Sequence, residues 1–126
     1  MTFFFTTGVV TSPRFPRRYT NNIEKTQTIQ GEEGKILVLD FNYFAIWHCS
    51  GCECDHIKVT DGDGTILLGK SCGFSSKQYK KESNEHFKPP KIITRSNVVH
   101  LYFKTDNEDT TTGWSVSWKA VTPGVH

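Results

Sequence analysis

His48-Cys49-Ser50-Gly51-Cys52-Glu53-Cys54-Asp55-His56-Ile57-Lys58-Val59-Thr60-Asp61-Gly62-Asp63-Gly64 holds three of the chain's four cysteines, an alternating apolar pair and a turn. If the thiols are oxidised, they and Cys72 make two staples of a secreted domain. If they are reduced, Cys49, Cys52 and Cys54 with His48 or His56 could ligate zinc. Structural zinc sites usually draw two ligand pairs from separate knuckles, and no second Cys or His pair follows at a suitable distance. The spacing therefore favours disulfides, for which four cysteines allow about three connectivities. Ile57 and Val59 then alternate as in a half-buried strand, which runs into the turn Asp61-Gly62-Asp63-Gly64.

The same period of two recurs outward from this stretch, at Leu37, Leu39 and Phe41, at Val99, Leu101 and Phe103, and at Trp114, Val116 and Trp118. Almost nothing recurs at three and four, and the gaps are filled by Gly, Pro, Asp and Asn. Nine Phe, four Tyr and three Trp in 126 residues favour strands over helices. The expected fold class is all-β, a two-layer antiparallel sandwich or jelly roll, in a single domain spanning 1–126. The aromatic stripes are read as core.

Residues 74–88 break the pattern. The stretch is mostly polar and aperiodic, and Pro89-Pro90 closes it, so it reads as an inserted surface loop. Its Lys77, Lys80, Lys81 and Lys88, with Arg14, Arg17 and Arg18, could meet a sulfated glycosaminoglycan if the fold brings them together. Interleaved Glu82 and Glu85 favour the blander account, a solvated loop. Fifteen Lys and Arg against thirteen Asp and Glu offer no broad electrostatic case for nucleic acid. No apolar run approaches a membrane span, and Met1 to Thr7 lacks the basic start and apolar stretch of a secretory signal. With the cysteines read as oxidised, the expectation is a domain excised from a larger secreted or membrane-anchored protein.

Read in order, the landmarks resemble those of a CUB domain. They are Gly8-Val9-Val10-Thr11-Ser12-Pro13-Arg14-Phe15-Pro16 with Tyr19 and Asn21-Asn22, Leu39-x-Phe41-x-x-Phe44, and Cys52-x-x-Asp55-x-Ile57-x-Val59-x-Asp61-Gly62. Leu68-Gly69-x-x-Cys72-Gly73, Ser96-Asn97, Phe103-Lys104-Thr105-Asp106 and Gly113-Trp114 complete the set, over a core of 8–118. The resemblance implies an extracellular β-sandwich of two five-stranded sheets that serves protein–protein recognition. It also implies a disulfide between Cys52 and Cys72, leaving Cys49 and Cys54, which are extra to the family pattern, to pair. The family's other bridge is missing at both ends, with Lys25 where one cysteine would fall. In this respect, and in Ser12 to Pro16 and Pro89 to Ile92, the chain is similar to the CUB domains of platelet-derived growth factors C and D.

Many CUB domains hold calcium through a Glu and two Asp at one end of the sandwich. The resemblance places Asp55 and Asp106 at two of these positions but Trp47, whose side chain has no oxygen, at the third. The implied site is degenerate, with weak calcium binding or none unless Glu53, Glu108 or Asp109 compensates. Ordinary turn hydrogen bonding would equally explain both Asp residues. Trp47 either fills the space of the missing metal shell or anchors a partner together with His48, and Lys80 and Lys81 form the competing partner site. No enzyme is expected. His48 and Cys49 are adjacent, but no supporting acid or oxyanion donors can be argued, and an oxidised cysteine is no nucleophile. The alternatives are a carbohydrate- or glycosaminoglycan-binding module and an accessory domain of a secreted protease.

Overall fold

The alternation at Leu37, Leu39 and Phe41 becomes the central strand of a sheet in the computed structural model, which describes residues 4–75 and 87–124. The described elements are β1 (Thr7–Thr11), β2 (Glu24–Gln30), β3 (Ile36–Ile46), a 3-10 turn (Ser50–Cys52), β4 (His56–Asp61), β5 (Ile66–Ser71), β6 (Gly73–Phe74), β7 (Ile92–Ile93), β8 (Val98–Lys104) and β9 (Gly113–Val121). All pairings are antiparallel. One sheet runs β1-β9-β3, with β6 and β7 sharing the far edge of β3; the other runs β2-β8-β4-β5.

The two-layer antiparallel architecture agrees with the sequence reading, and the strand count of one sheet does not. Among the described residues that sheet has four strands where five were expected. From Pro13 to Asn22 the chain carries two prolines and positive φ at Arg14 and Asn22, so it cannot offer a continuous ladder.

Leu37, Leu39 and Phe41 point inward from β3, and so do Phe44 and Ile46. The change of parity comes from a register shift between Phe41 and Tyr43 against β9. One extra residue, Asn42, bulges outward there and donates from Nδ2 to Ser117 Oγ at 2.7 Å. The core closes on Trp114, which is fully buried and meets Phe41 of its own sheet and Phe103 of the other edge-on at 6.4 and 5.9 Å. Removing such a ring from water is worth roughly 4–6 kcal/mol by area. Gly113 precedes it because no side chain fits: φ is +91°, and a Cβ would lie 1.9 Å from Ser12 Oγ.

The stretch read as a surface loop is tied down at both ends. Phe74 pairs with Ala45 in β6, and Phe87 donates its N–H to the Phe74 carbonyl at 2.8 Å and sets its ring 5.8 Å from Phe44. Phe74 is buried and Phe87 partly so, and apolar packing holds both in place. Lys77, Lys80 and Lys81 lie outside the described residues. Among the described residues no helix is long and apolar enough to cross a membrane.

Candidate functional site

The pairing registers put the ends of β1, β3 and β8 and the starts of β2, β4 and β9 at one pole of the sandwich. Three connections converge there: 12–23, 47–55 and 105–112. They are laced by backbone bonds from Tyr19 N to the Thr111 carbonyl and from Asn22 N to the Asp106 carbonyl, at 3.1 and 2.8 Å. The Arg18 guanidinium also donates to the Thr110 carbonyl.

Tyr19 is the hub. Its hydroxyl donates to Asp55 Oδ2 at 2.6 Å and accepts the Trp47 N–H at 3.0 Å, with 1% of the residue exposed. Asp55 Oδ1 accepts the Asp106 N–H at 3.0 Å, and Asp106 Oδ1 accepts the Glu108 N–H at 3.1 Å. Asp55, Asp106 and Trp47, which the sequence reading grouped, are thus joined by a phenol given no role there. Trp47 begins the connection after β3 and is 37% exposed, whereas Trp114 is sealed in the core. His48 beside it is half-buried. The connection is closed on itself by the Cys49–Cys54 disulfide and pinned to the end of β5 by Cys52–Cys72. Gly51 and Cys52 both take positive φ there, 69° and 54°, and Cys54 N–H donates to Cys49 Sγ at 2.9 Å.

Two aspartates are fully buried, and they differ sharply in electrostatics. Asp61 accepts from Arg95 N, Ser96 Oγ and Gly62 N at 2.7, 2.6 and 2.7 Å. Burial pushes its pKa up, but these donors outweigh it and hold the carboxyl below its usual range. Asp55 has only the Tyr19 and Asp106 donors and faces the Asp106 charge. Burial, the largest effect, carries its pKa to about 6. The same burial, together with Asp55, drives the Tyr19 phenol far above its ordinary value.

Between about pH 4 and about pH 6 the native state therefore holds a proton on Asp55 that the unfolded chain has already released. Its contribution to stability is greatest below about pH 4, the unfolded pKa, and is lost as pH rises through about 6. His56 acts oppositely. Burial first, then Lys70 and Lys58, lower its pKa, so it removes stability as pH falls through the ordinary imidazole range. The Asp55 effect is isolated by difference. Asp55→Asn keeps an acceptor for Asp106 N and a polar partner for Tyr19, and is expected to gain stability relative to wild type from pH 5 to pH 8. Urea unfolding across that range measures it; a constant gap between the two proteins would mean that Asp55 is ionised throughout.

Calcium takes about six to eight oxygens. Here the family positions supply two carboxylates whose named oxygens accept hydrogen bonds within the chain, and Trp47 supplies no side-chain oxygen. Of the possible compensators, Glu53 is engaged by Lys70 at 3.2 Å. Among the described residues no cluster of three His, Cys, Asp or Glu side chains could hold a metal. The two family carboxylates alone fall short of the oxygens a calcium ion takes. Millimolar calcium is expected to leave the melting temperature unchanged; a clear rise that Asp106→Ala abolishes would show the opposite.

The family model for the CUB domain matches residues 2–118. Human cubilin is 32% identical over 120 residues, 93% of this chain and 3% of cubilin. Human mannan-binding lectin serine protease 1 is 34% identical over 117 residues, 90% of this chain and 15% of the protease. A crystal structure of the MASP-1 CUB2 domain bound to Ca2+ superposes with a TM-score of 0.74 at 31% identity, covering 93% of this chain and 95% of that one. This chain thus spans a small fraction of the curated relatives named here.

Proposed function

Because this chain belongs to the CUB domain family, we propose that it is an extracellular recognition module that holds a protein partner at its loop pole. The observation that carries the reading is Trp47: a large aromatic, over a third exposed, on a connection fastened by the Tyr19 hydroxyl and a local disulfide. An anchor ordered before binding loses less entropy on association, and interface energy concentrates on such residues. His48 flanks it. Asp106 supplies a carboxylate to the rim, while Asp55 is sealed beneath and acts as a brace.

The domain itself is read as non-catalytic. That it serves as an accessory domain of a secreted protease is the second reading, favoured by the likeness to mannan-binding lectin serine protease 1. Glycosaminoglycan contact through Lys80 and Lys81 stays a separate reading of residues outside those described.

Titration of a protein partner captured with the wild-type domain tests the assignment. Trp47→Ala is expected to weaken binding by about 2 kcal/mol, close to thirtyfold, with the melting temperature held. If Lys80→Glu with Lys81→Glu abolishes binding while Trp47→Ala leaves it intact, the recognition surface is the inserted loop instead.

A further inference from the structure

The outer face of the four-stranded sheet carries a groove of about 540 Å³ that runs up to the loop pole at Glu53 and His56. Strand register builds it. Lys104 stands opposite His56, Tyr102 lies between Thr26 and Lys58, and His100 stands opposite Thr60. Lys70 closes one side from β5. Lys58 Nζ sits 5.7 Å from the centre of the Tyr102 ring.

A solvated sheet face ordinarily sets acids across from such lysines. The outward positions of the two central strands are His56, Lys58 and Thr60 on β4 and His100, Tyr102 and Lys104 on β8, with no carboxylate among them. Acids occur at the rim. Glu53 meets Lys70 at 3.2 Å, and Glu24 meets Lys104 at 3.9 Å and accepts the Tyr102 hydroxyl at 2.7 Å. Both are well exposed, and ion pairs of that kind are worth about 0–1 kcal/mol. An anion could displace them.

We propose that this groove binds a sulfated saccharide. Separated ammonium groups are point charges suited to sulfate esters. Thr26 and Thr60 offer hydroxyls to sugar oxygens, and Tyr102 offers a flat ring to a pyranose face. No arginine lines the groove, so it lacks the planar fork that best recognises the carboxylates of an acidic peptide. The groove adjoins the loop pole at Glu53 but takes in none of Trp47, His48 and Asp106, so the variants below leave the residues assigned to a protein partner in place.

Calorimetric titration of the intact chain with a heparin-derived hexasaccharide at 150 mM NaCl tests the proposal, with thermal melts verifying each variant's fold. Lys58→Gln with Lys104→Gln is expected to weaken binding at least tenfold and to flatten its salt dependence. Tyr102→Leu should weaken it severalfold with the salt dependence kept. Lys91→Gln with Lys119→Gln, an equal charge change on the other sheet, should stay within twofold of wild type. Four outcomes overturn the proposal: no binding by the wild type, equal losses in both lysine pairs, loss on Lys80→Gln with Lys81→Gln alone, or equally tight binding of a poly-glutamate peptide of matched charge.

Discussion

Cys52→Ala with Cys72→Ala is expected to destabilise the domain by about 3 kcal/mol, lowering its melting temperature by roughly 10–15 °C. The bridge spans 20 residues, and chain-entropy arithmetic for such a loop gives about 3 kcal/mol. Its placement matters as much as its length. Cys72 is 4% exposed and lies between β5 of the four-stranded sheet and β6 of the five-stranded one, so the bridge fixes the chain where it crosses between layers. The Cys49–Cys54 loop spans only 5 residues, for which the same arithmetic gives about 2 kcal/mol. Its removal should cost less stability and more affinity, because it shapes the Trp47 connection. Denaturant unfolding of both double variants is the measurement. A larger loss from the short loop would reverse this assignment of roles.

Tyr19→Phe is expected to cost about 3 kcal/mol at pH 8 although it removes one oxygen. That oxygen serves a buried carboxylate and a part-buried amide, and the variant leaves Asp55 with a single donor and the Trp47 N–H without its acceptor. The Tyr19 bond also holds the Asp55 pKa down against burial. Without it the carboxyl would be neutral over a wider range, and the loss should shrink at pH 5, where Asp55 is protonated in either protein. Tyr102→Phe, at an exposed hydroxyl bonded to Glu24, should stay within about 0.5 kcal/mol of wild type. A Tyr19→Phe loss below 1 kcal/mol, or one equal at both pH values, would contradict the hub described above.

Most of the fold was legible because long strands carry their period on their surface. Leu37 to Phe41, Val99 to Phe103 and Trp114 to Trp118 each repeat often enough to announce a buried side, and the two-residue gap between Phe41 and Phe44 marks the bulge. β6 and β7 have two residues each and cannot show a period at all. Phe74 was therefore assigned to a loop that it in fact fastens. At the site, Asp55 and Asp106 could be grouped only through the family resemblance. The Tyr19 hydroxyl, 36 positions from Asp55, is silent in sequence, since a buried tyrosine reads as core until its partner is seen. The groove had a signal that went unused: polar residues at every second position of β4 and β8 carry Lys58, Lys104 and two histidines. Only the pairing of those strands shows that the charges share a face.

The registers that gather the site loops at one pole also decide how the domain would bear load. Thr7 of β1 pairs with Lys119 near the end of β9, so the ordered core begins and ends at the opposite pole, on adjacent antiparallel strands. Tension applied through those two ends would open the β1–β9 ladder like a zipper, one hydrogen bond at a time, rather than shearing all of them together. The first strand to peel away leads into Ser12, whose hydroxyl accepts the Trp114 N–H at 3.0 Å. Traction from the far pole would thus reach the loops that present Trp47 only after the whole β1–β9 ladder had opened, so those loops would keep their arrangement under any load the ladder survives.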